Sequence, residues 1–128
     1  MLHERFQSDR RLLTSDEFDV VFKQNNYRIG SSEFLILAMD TQNESSRLGM
    51  VIGKRNTALA VHRNRIKRLI RESFRKKFPE NITIDIVIVS RQGINKAHNI
   101  ELLERLENAW NKLAQKVVKN HQTGSEHD

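Results

Sequence analysis

The chain contains no cysteine. A disulfide framework and thiolate zinc sites are thereby excluded, and the composition fits a reducing compartment. Its five glycines stand apart from one another, so no glycine-rich loop is available to cradle a phosphate. No apolar run approaches the about 18 residues that a membrane-spanning helix needs. The opening MLHERFQSDRRLL lacks the apolar stretch of a signal peptide. A cytoplasmic location and no membrane partner are expected on these grounds. Catalytic sets are missing too. His3, His62, His98, His121 and His127 stand at no recognisable ligand spacing to one another or to a carboxylate. Asp16, Glu17 and Asp19 do cluster, but at the start of a predicted helix, where capping and the helix dipole account for them. No catalytic residue and no metal site are expected.

What the chain does hold is a concentrated positive charge. The whole sequence has 22 Lys and Arg against 16 Asp and Glu, a net of +6. The segment KRNTALAVHRNRIKRLIRESFRKK, residues 54–77, contains ten of the basic residues and only Glu72 on the acidic side, a net of +9. The remainder has 12 basic and 15 acidic side chains, a net of −3. A field of one sign gathered in one segment attracts a polyanion, and counterion release makes nucleic acid the foremost candidate.

Periodicity turns that charge into a surface. At about 100° per residue, Leu59, Ile66, Leu69, Ile70 and Phe74 share one arc and are expected to face a core. Arg63, Asn64, Arg65, Lys67, Arg68, Arg71 and Arg75 fill the other arc. Arg63, Lys67 and Arg71 are successive i, i+4 neighbours, an arrangement that costs an isolated helix a few tenths of a kcal/mol per pair and is offset by an external anion. Arginine dominates the face, and its planar fork suits bidentate phosphate contact. Lys54 and Arg55 extend the basic surface onto the neighbouring strand end. His62, nearer the apolar edge, fits a partly buried structural role or a phosphate contact.

The rest of the chain reads as one α+β domain over residues 1–120, with elements in the order α-β-β-β-α-β-α and the helices packed on a four-stranded sheet. Residues 1–11 are expected to be irregular. Thr14 and Glu17 form a capping box for a short helix ending near Gln24. Strands are predicted over 27–29, 34–39, 47–53 and 82–89. The basic helix is expected to start near Thr57 or Ala58 and to stop before Pro79. A last helix begins at Asn99, with Leu102, Leu106, Trp110, Leu113 and Val117 as its apolar stripe. Residues 121–128 are polar and expected to be a disordered tail. Phe18 and Phe22, four apart on the first helix, are either core residues or a stacking platform for unpaired bases.

Arg63-Asn64-Arg65-Ile66-Lys67-Arg68-Leu69, with Arg71 and Phe74, resembles the signature of the bacterial ribonuclease P protein component. RLLTSDEF with Phe22, Gly30-Ser31 with Phe34, RLGMVIGKR, IDIVIVSRQG and ELLERLENAW resemble that family's other segments in order, over roughly residues 10–115. The resemblance implies a ribosomal-protein-like fold with a left-handed β-α-β crossover, a hand that is rare among such units. It also implies a division of labour. A large RNA subunit carries the chemistry and holds the Mg²⁺ ions, and the protein helps it remove the 5′ leader from precursor tRNA. Arg63, Asn64, Arg65, Lys67, Arg68 and Arg71 would contact the ribonuclease P RNA. Phe18, Phe22 and Phe34 would line a cleft for the single-stranded leader, with Lys54, Arg55 and Arg91 near its path. The protein itself is expected to be a monomer outside the holoenzyme. Some family members also place an aromatic residue within the strand that starts at Phe34; this chain has LILAM there, which implies a narrower leader platform.

Three other readings remain open at this stage. A ribosome-associated or chaperone-type RNA-binding protein would use the same basic helix with no link to catalysis. A DNA-binding helix-turn-helix would need a companion helix and turn before the basic segment, which are missing. A membrane-surface helix conflicts with the need of the apolar face to cover the sheet.

Overall fold

The computed structural model describes the backbone of residues 14–127 and the side chains of residues 14–122. The segment 1–11, expected to be irregular, lies outside the described residues. The elements are α1 (Ser15–Gln24), β1 (Tyr27–Gly30), β2 (Phe34–Asp40), β3 (Arg47–Val51), α2 (Ala60–Lys77), β4 (Ile84–Ser90), a short 3₁₀ helix (Gln92–Lys96) and α3 (Asn99–His127). The expected order of helices and strands is therefore the observed one, with the 3₁₀ helix added.

Strand order in the sheet is β1-β2-β4-β3. β1 and β2 are antiparallel, as are β2 and β4, whereas β3 and β4 run parallel. A parallel pair needs a crossover longer than a hairpin, and α2 supplies it. The basic helix is thus the connection of a β-α-β unit, which fixes its apolar side against the sheet.

Side chains alternate along each strand and build two unequal faces. Phe34, Ile36, Ala38, Leu48, Ile84, Ile86 and Ile88 form the main core with α2 and α3. From α2 come Ile66, Ile70 and Phe74, and from α3 come Leu102, Leu106, Trp110, Leu113 and Val117, all buried. Phe74, Phe78 and Trp110 pack as an aromatic trio with ring centroids 5.3–5.9 Å apart. The Trp110 indole N–H, which must find an acceptor once buried, donates to the Ser73 hydroxyl at 2.9 Å. On the opposite face Val21 of α1 packs on Leu37 and Val87, with Phe18, Leu35, Met39 and Val89 half-buried around them.

Three expectations are corrected here. Leu59 is not core: it is the extended N-cap of α2 and stands exposed. α2 starts at Ala60 because Gly53–Thr57 forms a turn, closed by the Thr57 N–H donating to the Gly53 carbonyl at 3.0 Å. Over residues 121–128, expected to be a disordered tail, α3 continues as far as His127. Near this end Asn120 and His121 are tied down, the Asn120 amide donating to the Tyr27 hydroxyl at 3.2 Å and His121 Nε2 lying 3.0 Å from Asp40 Oδ1.

Candidate nucleic-acid interface

Two surfaces emerge from this arrangement. The first is the outward side of α2, where Asn64, Arg68 and Arg71 are exposed and Arg63, Arg65 and Lys67 half-exposed. Its charge is not neutralised from within. Glu72 pairs with Arg75 at 3.0 Å and Lys76 at 3.5 Å, and Lys77 reaches Glu107 at 3.5 Å, so the carboxylates serve only the last turn. The Arg75 hydrogen bond, chiefly, holds the Glu72 carboxyl below its usual range. Arg63, Arg65, Lys67, Arg68 and Arg71 have no carboxylate partner among the described residues.

The members of this row are not equivalent. Arg63 turns back, and one guanidinium nitrogen donates to the carbonyls of Thr57 and Ala58 at 2.8 Å each. It therefore fastens the lead-in of the helix as well as adding charge. Arg65 donates to the Asn99 side-chain oxygen at the start of α3. His62 is exposed, so its partly buried structural role is not seen.

The second surface is the far face of the sheet, and the register shows how it is shaped. Asp40 pairs with Ile84 and Arg47 with Asp85, so these residues mark one end of the sheet. α1 is fastened across that end. Arg47 donates to both Asp85 oxygens at 2.9 and 2.7 Å and also to Glu17. The paired Asp85, above all, holds the Arg47 guanidinium still more firmly protonated. Glu17 simultaneously completes the Thr14 capping box, with the Thr14 N–H donating to its carboxylate at 3.0 Å. At the other terminus of α1, the Asn26 N–H donates to the Ala38 carbonyl at 2.8 Å and the Asp40 N–H to the Asn26 side chain at 3.0 Å.

The opposite end of the same face is left partly uncovered. Leu35 pairs with Val89, and Val51 with Val89, which places these three apolar side chains together as a half-open floor. Phe18 borders it half-buried, and Phe22 is 42% exposed. Basic residues stand beyond the floor. The loop bearing Lys54 and Arg55 is pinned to the end of β4, with the Gly53 N–H donating to the Ser90 hydroxyl and the Asn56 amide to the Ser90 carbonyl, both at 3.0 Å. Arg91 follows directly and donates to the Ser31 carbonyl at 3.0 Å. The apolar floor bordered by Phe18, with Lys54, Arg55 and Arg91 following the strand ends beyond it, makes a groove with the two elements that single-strand binding uses.

Phe34 is not part of that groove. It is 1% exposed and points into the main core on the other side of the sheet, so its place among the cleft residues is corrected. Sequence reading also missed the Glu17–Arg47–Asp85 fastening and the floor of Leu35, Val51 and Val89. A signal for the floor was present: the run LILAM is apolar at every position, as a strand covered on both faces requires.

Comparison with known proteins points to one family. Residues 6–114 match the family model described as Ribonuclease P. The chain is similar to the ribonuclease P protein component of Pseudomonas aeruginosa, at 41% identity over 88% of this chain and 84% of that one. It is likewise similar to that of a Marinomonas species, at 39% identity over 85% and 83%. Among solved structures, the RNase P protein of Thermotoga maritima in complex with 1-(4-fluorophenyl)-2-thiourea matches at 27% identity with a TM-score of 0.68, covering 78% of this chain and 96% of that one. A Staphylococcus aureus RNase P protein mutant shares the fold with a TM-score of 0.76 at 23% identity, over 89% and 95%.

Proposed function

Since this chain belongs to the bacterial ribonuclease P protein family, we propose that it is the non-catalytic subunit of the ribonucleoprotein that removes 5′ leaders from precursor tRNA in the cytoplasm. The outward face of α2 docks on the RNA subunit through Asn64, Arg65, Lys67, Arg68 and Arg71, with Arg63 holding the helix entry. The groove between α1 and the open end of the sheet takes the single-stranded leader, with Phe18 and Phe22 against its bases and Lys54, Arg55 and Arg91 toward its phosphates. Mg²⁺ and the attack on the phosphodiester belong to the RNA subunit in this reading.

The observation that carries it is the row of cations that have no carboxylate partner among the described residues, on a helix whose other face is committed to the core. Such a row is a standing cost until a polyanion covers it. The test is cleavage of precursor tRNA by a bacterial ribonuclease P RNA at low Mg²⁺, with and without this protein. Marked stimulation is expected. Its absence overturns the assignment and leaves a general RNA-binding role.

A further inference from the structure

Beside the cation row lies a groove of about 690 Å³, bounded by the first turns of α2 and α3 and by the 3₁₀ helix. Its volume falls within the roughly 300–1,000 Å³ of small-ligand sites. Two aliphatic side chains stand in the open there, Val61 at 67% and Ile100 at 71% exposure. The sequence offers no core reason for them: Ile100 precedes the buried Leu102 stripe, and Val61 precedes Ile66. Arg65, Lys96, His62 and His98 also line it, and no carboxylate does among the described residues. The Arg65 guanidinium is held across the groove by Asn99, which leaves its other N–H groups free for an anion.

An apolar surface ringed by cations without a counter-charge fits a ligand that is flat and apolar at one end and anionic at the other. We infer that this groove takes one unpaired nucleotide of the RNA subunit, its base against Val61 and Ile100 and its phosphate on Arg65 and Lys96. The inference rests on the docking role proposed for α2 and sharpens it. The helix then does more than neutralise a duplex backbone, because one extruded base sets the register of the protein on the RNA.

Two measurements test this. In the first, the full-length protein is titrated with adenosine monophosphate and, separately, with inorganic phosphate, while backbone amide resonances are followed. The nucleotide is expected to shift Val61, Lys96 and Ile100 together, whereas phosphate alone leaves Val61 and Ile100 unmoved. Equal shifts from phosphate would mean a phosphate contact without a base site and overturn the inference. Shifts of Val61 and Ile100 on raising the protein concentration alone would point to self-association and overturn it too.

In the second, affinity for the RNA subunit is measured against salt for the Val61→Ser/Ile100→Ser pair, for Arg65→Gln and for Val118→Ser as an exposed control on α3. Val61 and Ile100 are surface positions, so the fold is retained. Loss of the apolar contact with the base should weaken binding by the pair about tenfold with an unchanged salt slope. Arg65→Gln should lower that slope by about one unit, and the control should bind as the wild type does. Wild-type affinity in the serine pair, with cleavage stimulation intact, removes the nucleotide site and leaves the functional reading standing. Failure of the wild type to stimulate cleavage removes the functional reading, and the nucleotide titration still decides the groove.

Discussion

Phe22 and Phe34 are the same residue type with opposite roles, and their surroundings explain why. Phe34 begins β2 on the side facing α2 and α3, where it is sealed among isoleucines. Truncating it removes a ring from a packed core, so Phe34→Ala should cost about 3–5 kcal/mol in denaturant unfolding. Phe22 sits one turn after Phe18 on α1 and keeps much of its ring in solvent. Phe22→Ala should therefore leave stability within about 1 kcal/mol of the wild type. What it should reduce is the preference of the holoenzyme for precursor over leaderless tRNA, by roughly tenfold if one base stacks there. A Phe22→Ala protein that unfolds would return this ring to the core and empty the groove of its principal aromatic.

At the level of elements, the stripes and caps were legible because they are local. The Thr14–Glu17 box, the Ile66–Ile70–Phe74 side of α2 and the Leu102–Val117 side of α3 each follow from spacing within one segment. What was not legible depends on partners far along the chain. Arg47 meets Glu17 and Asp85 only once β3 lies beside β4 and α1 crosses their ends. Leu59 carried the right phase but fell one residue outside the helix, where no packing partner waits. The 3₁₀ helix is another long-range feature. Its Gly93 N–H donates to the Ser32 carbonyl at 2.9 Å, and the Arg91 N–H donates to the Glu33 carbonyl at 2.9 Å. A Cβ at Gly93 would stand 2.6 Å from that same Ser32 oxygen, which is backbone and cannot swing aside. Gly93→Ala should thus cost about 1–3 kcal/mol in denaturant unfolding by forcing the two segments apart. Because Arg91 is the residue that joins them, leader-bearing substrates should lose affinity as well. Wild-type stability in Gly93→Ala would show that the turn is looser than this packing requires.

The whole molecule divides its charge as it divides its surfaces, with the excess of cations on α2 and the balancing carboxylates elsewhere. At the far side from that charge, the end of α3 closes over β1 and the end of β2. Lys116 donates to the Arg28 carbonyl at 3.2 Å, Asn120 donates to the Tyr27 hydroxyl, and Tyr27 in turn donates to Asp40 at 2.9 Å. Burial, first, and the neighbouring Asp40 carboxylate push the Tyr27 phenol up to about 12, against an opposing hydrogen bond from Asn120. In an unfolded chain the same group titrates near 10. A folded value above the unfolded one means that the neutral phenol stabilises the native state. That contribution is complete below pH about 10 and is lost as the pH rises toward 12. Tyr27 is the only tyrosine in the chain, so phenolate absorbance reports this one site without assignment. The native protein should titrate near 12 and the denatured protein near 10. Asp40→Asn should bring the native midpoint down, since it removes a negative charge that opposes ionisation. A native midpoint near 10 would mean that the end of α3 does not close over β1.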